Sequence, residues 1–122
     1  MKKNDLKQAP REDYYGFYGT MITNSQNDDG IGTIDEEAAA RLWDAAFEAM
    51  ENPDYDAQAT RNFLRAPAGR HLADEVYNQA YPEMTEKALK AGIKKAVEKA
   101  RSWKSYREIL KATMNGTYRE NN

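Results

Sequence analysis

The chain has no cysteine and only one histidine. Without thiols there is no disulfide, no thiolate metal site and no cysteine nucleophile. With His71 as the sole imidazole, no two histidines can share a metal ion. No apolar run approaches the ~20 residues that a bilayer-spanning helix needs. The stretch Met1 to Pro10 carries lysines with no apolar segment behind them, unlike a secretory signal. Together these absences predict a soluble protein of the cytoplasm. There is also no glycine-rich phosphate loop and no dinucleotide fingerprint, so no cofactor is expected. The net charge of −2 and a pI near 5.5 remove any overall attraction to nucleic acid or membrane.

What is present is ordinary globular material. The 122 residues are 40% hydrophobic and 31% charged, within the size and composition of one domain with its own core. The charge is unevenly spread. Between Thr23 and Thr60 ten acidic residues face Arg41 alone, whereas from Met84 onward ten basic residues face four glutamates. One half is acidic and the other basic.

The periodicity predicts a mainly α fold: about five helices in a compact bundle, preceded by an extended aromatic arm. Residues 1–13 read as a flexible segment, 14–116 as a single helical domain and 117–122 as a tail. In the arm, Tyr14-Tyr15-Gly16-Phe17-Tyr18-Gly19 combines β-favouring aromatics with two glycines that weaken any regular element. The first helix is marked by a Thr33/Glu36 capping box. Its apolar stripe is Ala39, Leu42, Trp43, Ala46, Phe47 and Met50, and Pro53 ends it. A shorter helix capped by Asp54 or Asp56 carries Phe63 and Leu64. Ala66-Pro67-Ala68-Gly69 interrupts it before Leu72, Ala73, Val76 and Tyr77 resume the period. Leu89, Ile93, Ala96 and Val97 define a fourth helix, with Glu86 and Lys90 as an i, i+4 pair. A Ser105/Glu108 capping box opens the last helix, and Asn115-Gly116 closes it.

Four stretches invite chemistry. Residues 25–36 resemble an EF-hand loop with Gly30 at its sixth position. Ser25 stands where aspartate is required, however, and Gly32 where an aliphatic residue packs, which argues for a plain turn and cap. His71 has no serine, cysteine or second histidine arranged with it, so no catalytic or metal site is expected. Asp74 and Glu75, adjacent in sequence, point to different helix faces and form no carboxylate pair. A helix-turn-helix over 57–77 would put Pro67 at the join and acids beside Arg70 and His71, against a phosphate backbone.

Two features point to contact instead. Tyr14, Tyr15 and Tyr18 have the composition of recognition surfaces, although the arm could equally pack on the helices and complete the core. Lys90, Lys94 and Lys95, with Trp103 or Tyr106 for stacking, could meet a nucleic acid; a solvated amphipathic face explains the same lysines. Arg70 and His71 join the tyrosines as candidate partner contacts.

Tyr15-Gly16-Phe17-Tyr18-Gly19-Thr20, Arg61-Asn62-Phe63-Leu64 and Gly69-Arg70-His71-Leu72-Ala73-Asp74 together resemble small uncharacterised proteins of plasmids, conjugative elements and phages. The chain departs from that pattern at Ala66-Pro67-Ala68 and at Leu72, where an aromatic is usual. The resemblance implies a mobile genetic element. Together with the missing active site, it suggests a non-catalytic interaction protein, an anti-defence inhibitor of a CRISPR-type host complex. The partner would be a protein complex, with nucleic acid the alternative.

Overall fold

Asp35 starts the most strongly patterned helix. Its extended backbone frees the side chain to accept the Ala38 N–H at 2.8 Å, while Glu36 and Glu37 face the positive end of the helix dipole. In the computed structural model, which describes residues 13–27, 34–51 and 57–119, six helices follow one another. They are α1 (Phe17–Asn27), α2 (Glu36–Met50), α3 (Ala57–Arg65), α4 (Pro67–Ala80), α5 (Glu86–Ala100) and α6 (Lys104–Met114). No strand occurs among the described residues.

The expected stripe of α2 is buried in full, from Ala39 to Met50. Trp43, Phe17, Phe47 and Phe63 are wholly enclosed, each stabilising the fold by about 1.5–3 kcal/mol through burial. α4 opens with Pro67 in its first turn, where a missing N–H costs nothing. It is separated from α3 by Ala66 alone, with no intervening three- or four-residue turn. Thr85 caps α5 by accepting the Ala88 N–H at 3.1 Å. Gly116, at φ +74°, ends α6. Its N–H reaches Thr113 O at 3.1 Å and that of Thr117 reaches Ala112 O at 2.8 Å, the paired bonds of a Schellman cap.

α1 runs through the middle of the assembly, packing on α4, α2 and α3. α5 lies between α4 and α2. α6 is peripheral and leans on α3. There Asn62 Nδ2 donates to Thr113 Oγ1 at 3.0 Å, and Gln58 Nε2 donates to Asn62 Oδ1 at 2.9 Å. These bonds satisfy a side chain buried to 6% exposure.

The mainly helical expectation holds, with six helices among the described residues where about five were expected. The extended arm does not. Residues 13–16 form a turn and Phe17 onward is helix. The reason is packing: a Cβ at Gly16 would collide with the Leu64 carbonyl and Arg65, and one at Gly19 with the Tyr14 backbone. The glycines are there for close approach, and the helix tolerates them. Asp13, placed by its sequence in the flexible segment, is fully buried at the start of this turn. The Ser105/Glu108 box is absent as well. Trp103 is the N-cap of α6 and makes no side-chain cap bond. Thr33, Asp54 and Asp56, the other expected caps, lie outside the described residues.

The acidic and basic halves meet along the α2–α5 seam, but arginines make the ties. Arg41 of α2 grips Glu86 of α5 with two bonds, Nε to Oε2 at 3.0 Å and Nη2 to Oε1 at 2.9 Å. Arg101 Nη2 donates to Ala49 O at 2.9 Å. The Arg41 hydrogen bonds hold the Glu86 carboxyl below its ordinary range, against the opposing effect of burial, and Lys90 adds to the lowering. A depressed carboxyl contributes stability above its unfolded pKa and loses it as pH falls through the folded value. Glu86→Gln should therefore be less stable than wild type at neutral pH. The gap should close as pH falls below about 4 in urea titrations followed by circular dichroism. A gap constant down to pH 2 would rule this out.

Candidate functional site: an aromatic and basic patch on a three-helix junction

The three segments quoted above, far apart in sequence, meet in space. Gly16 and Gly69 both lie against the carbonyl of Leu64, at the end of α3. The turn before α1, the last turn of α3 and the first turn of α4 are therefore one junction. Asp13 fastens it: its carboxylate contacts Arg65 Nε and stands 3.9 Å from Arg61 Nη2. Both arginines lie on one face of α3, since positions i and i+4 are neighbours. Farther along, Tyr77 donates to Met21 O at 2.6 Å and Asn24 Nδ2 donates to Asp74 Oδ1 at 2.9 Å, tying α1 to α4.

The structure sorts the tyrosines. Tyr18 belongs to the core at 4% exposure, edge-on to Trp43 at 6.5 Å, with its hydroxyl donating to Glu36 O at 3.3 Å. It faces inward because its helix places it over α2, so as a partner contact it is corrected. Tyr14 is partly exposed and tethered, donating to Glu36 Oε1 at 2.6 Å and lying 5.4 Å from the Tyr18 ring. Tyr15 is 87% exposed. Arg70 and His71 are exposed on the first turns of α4, next to Gly69. The junction thus brings the backbone of Tyr15 close to that of Arg70 and His71, through contacts of Gly16 and Gly69 with Leu64 O that a single methyl group would break.

Lys94 and Lys95 are exposed on α5, and Lys90 lies 3.4 Å from Glu86 as the expected i, i+4 pair. These lysines are on α5, away from the junction. Of the two proposed stacking aromatics, Tyr106 is buried edge-on against Phe63 at 5.0 Å, leaving only Trp103 partly accessible.

No group of three or more His, Cys, Asp or Glu side chains that could hold a metal ion occurs among the described residues. Ser25, at the first position of the EF-hand-like loop, is buried. Its hydroxyl donates to Ile22 O at 2.9 Å and accepts the Ile34 N–H at 3.1 Å, closing the loop as a backbone staple. Of the other ligand positions, Asn27 is the last residue of α1 and Glu36 the first of α2, while Asp29 and Thr33 lie outside the described residues. Within the described residues, His71 makes no hydrogen bond to a carboxylate or hydroxyl.

Sequence reasoning missed Asp13 and Tyr81. An acid ahead of an aromatic–glycine turn, with arginines four apart on a short helix, was the available signal for the first. Tyr81, 75% exposed, stood beside Pro82 and read only as punctuation. Compared with models of protein families, with curated proteins and with solved structures, the chain matches none.

Proposed function

We propose that this chain is a non-catalytic interaction protein that binds a protein partner through Tyr15, Arg70 and His71. The observation that carries the reading is Tyr15, a tyrosine 87% exposed next to Gly16, whose backbone meets the same Leu64 carbonyl as Gly69, the residue before exposed Arg70 and His71. Tyrosine and arginine dominate interface hot spots because they bury large area with few rotors to order. Preorganisation by the Gly16–Leu64–Gly69 contacts lowers the entropy that binding must offset. Tyr14, tethered to Glu36, forms the rim.

The kind of partner follows from the resemblance to proteins of plasmids and phages. It is a host defence complex, of CRISPR type, which the protein inhibits by occupying a functional surface. Nucleic acid binding through Lys90, Lys94 and Lys95 has less support, since Lys90 already serves Glu86.

The test is binding of the purified protein to an immobilised CRISPR effector complex. Wild type should bind, and Tyr15→Ala/Arg70→Ala should weaken binding at least about tenfold, the loss of a single hot spot. Thermal unfolding should be unchanged, because both side chains are exposed. Failure of the wild type to bind, or equal binding by the double variant, removes the reading. The Tyr18 position is unsuitable for this test, because emptying it would disturb the core.

A further inference from the structure

A second surface lies at the opposite end of α4, about 20 Å from its first turn. After Ala80 the chain turns through Tyr81-Pro82-Glu83 and re-enters as α5. Gly92 lets the two helices approach closely: a Cβ there would stand 3.0 Å from Val76 O. Above this contact a groove of about 220 Å³ opens, lined by Tyr81, Pro82, Ala88 and Ala91, with Gln79, Glu83 and Lys95 as its polar groups. Ligand pockets for drug-sized molecules begin at roughly 300 Å³, so this groove is suited to a single side chain and its flanking backbone.

The surroundings of the groove select the occupant. One flank of α5 is tied to α2 by Arg41–Glu86 and Arg101–Ala49 O, and the other to α4 by Lys99 Nζ–Glu75 Oε2 at 3.2 Å. Between the flanks, Lys87, Ala91 and Lys94 recur at i, i+4 and i+7 along an outer ridge. Lys95 turns toward the groove. Lys87, Lys94 and Lys95 are exposed and have no ion-pair partner among the described residues, unlike Lys90 and Lys99. An exposed tyrosine, Pro82 and small alanines thus form the apolar part of a mixed lining, beside three cations that make no ion pair among the described residues.

We propose that this groove docks a short acidic peptide segment of a partner protein, with one apolar side chain seated against Tyr81 and Ala91 and its carboxylates answered by Lys87, Lys94 and Lys95. A few carboxylates match a few lysines. A nucleic acid, with a charge at every phosphate, would run onto Glu98 and the acidic face of α2, whereas a short peptide can place its few carboxylates on the lysine side of the groove, away from Glu83. The chain's own first twelve residues are the wrong occupant, since Lys2, Lys3, Lys7 and Arg11 outnumber their acids. The site goes beyond the Tyr15 surface and stands or falls independently of it.

The experiment titrates the ¹⁵N-labelled full chain with nine-residue peptides. Each has leucine or alanine at its centre, flanked by glutamates or by lysines. The acidic leucine peptide should bind, with amide shifts at Tyr81, Ala88, Ala91 and Lys95. Leucine-to-alanine in the peptide, Tyr81→Ala, and Lys94→Glu/Lys95→Glu should each weaken it at least tenfold, and the lysine-flanked peptide should not bind. Tyr15→Ala should leave the titration unchanged, which separates this surface from the first. The proposal is overturned by absent shifts, by shifts elsewhere, by tighter binding of a single-stranded oligonucleotide on the same lysines, or by self-association of the chain through this face.

Discussion

Gly19→Ala should destabilise the protein by about 3 kcal/mol or more, the upper part of the range for overpacking. In an exposed helix the same change would stabilise by about 1 kcal/mol, because alanine is the better helix former. The sign reverses here because the new methyl would overlap the carbonyl, carbonyl carbon and Cα of Tyr14, and backbone cannot swing aside as a side-chain tip can. Accommodation requires lifting the 13–15 turn off α1. That breaks the Asp13 contacts with Arg61 and Arg65 and the Tyr14–Glu36 bond together. For a chain of this length the melting temperature should drop by roughly 10–15 °C. Gly92→Ala, whose nearest neighbours are Val76 O at 3.0 Å and Gln79 Cβ at 3.3 Å, should cost less. Thermal melts of the two variants check the ranking. A Gly19→Ala protein as stable as wild type would mean that the turn does not cross α1 as described.

That reversal shows why α1 was hidden in the sequence. Residues 14–22 hold aromatics, β-branched residues and two glycines, which by local propensity read as extended and broken. The helix forms because Phe17, Tyr18 and Met21 fall on one side and bury together. The glycines answer to a crossing chain that no local pattern reveals. α2, α4 and α5 were legible because their stripes repeat over three or four turns and every expected apolar residue is inside. At the helix starts the chemistry was legible but the position was not. Asp35 does the capping in α2, and α6 begins on Trp103 although serine stood two residues later.

The candidate site was half legible for a related reason. Residue type marked Tyr15, Arg70 and His71 as contact residues, but nothing local could place them together. Gly16 and Gly69 do so through Leu64 O, a backbone atom with no sequence signature. Nor could spacing separate Tyr14 from Tyr18. Tyr14 lies in the turn and Tyr18 on α1, their rings 5.4 Å apart, and only the position of α2 leaves one exposed and tethered to Glu36 and the other in the core. Tyr81 was overlooked because a residue before proline reads as a boundary, whereas here the boundary is itself a surface.

The fastening of that junction gives the second large effect. Asp13→Ala should cost about 2–4 kcal/mol. Removing one partner of a buried ion pair costs about 3–5 kcal/mol, because the remaining charge loses both its partner and its water. The lower figure reflects Arg61 and Arg65, whose side chains keep 15% and 21% exposure and recover some hydration when the carboxylate leaves. Asp13→Asn should fall between wild type and alanine, since it restores shape and one acceptor without charge. A double-mutant cycle separates the pair from the packing: Asp13→Ala/Arg65→Met should be more stable than the sum of its single changes, because the orphaned cation is gone. Strict additivity in urea unfolding would show that Asp13 acts only as a space-filling residue. Because Asp13 lies two residues before Tyr15, the same loss should loosen the exposed ring. If the proposed binding to a CRISPR effector complex runs through Tyr15, Asp13→Ala, assayed well below its melting temperature, should bind that complex more weakly than wild type while Arg70 and His71 are intact. Binding at wild-type strength would mean that Tyr15 needs no fixed backbone to engage its partner.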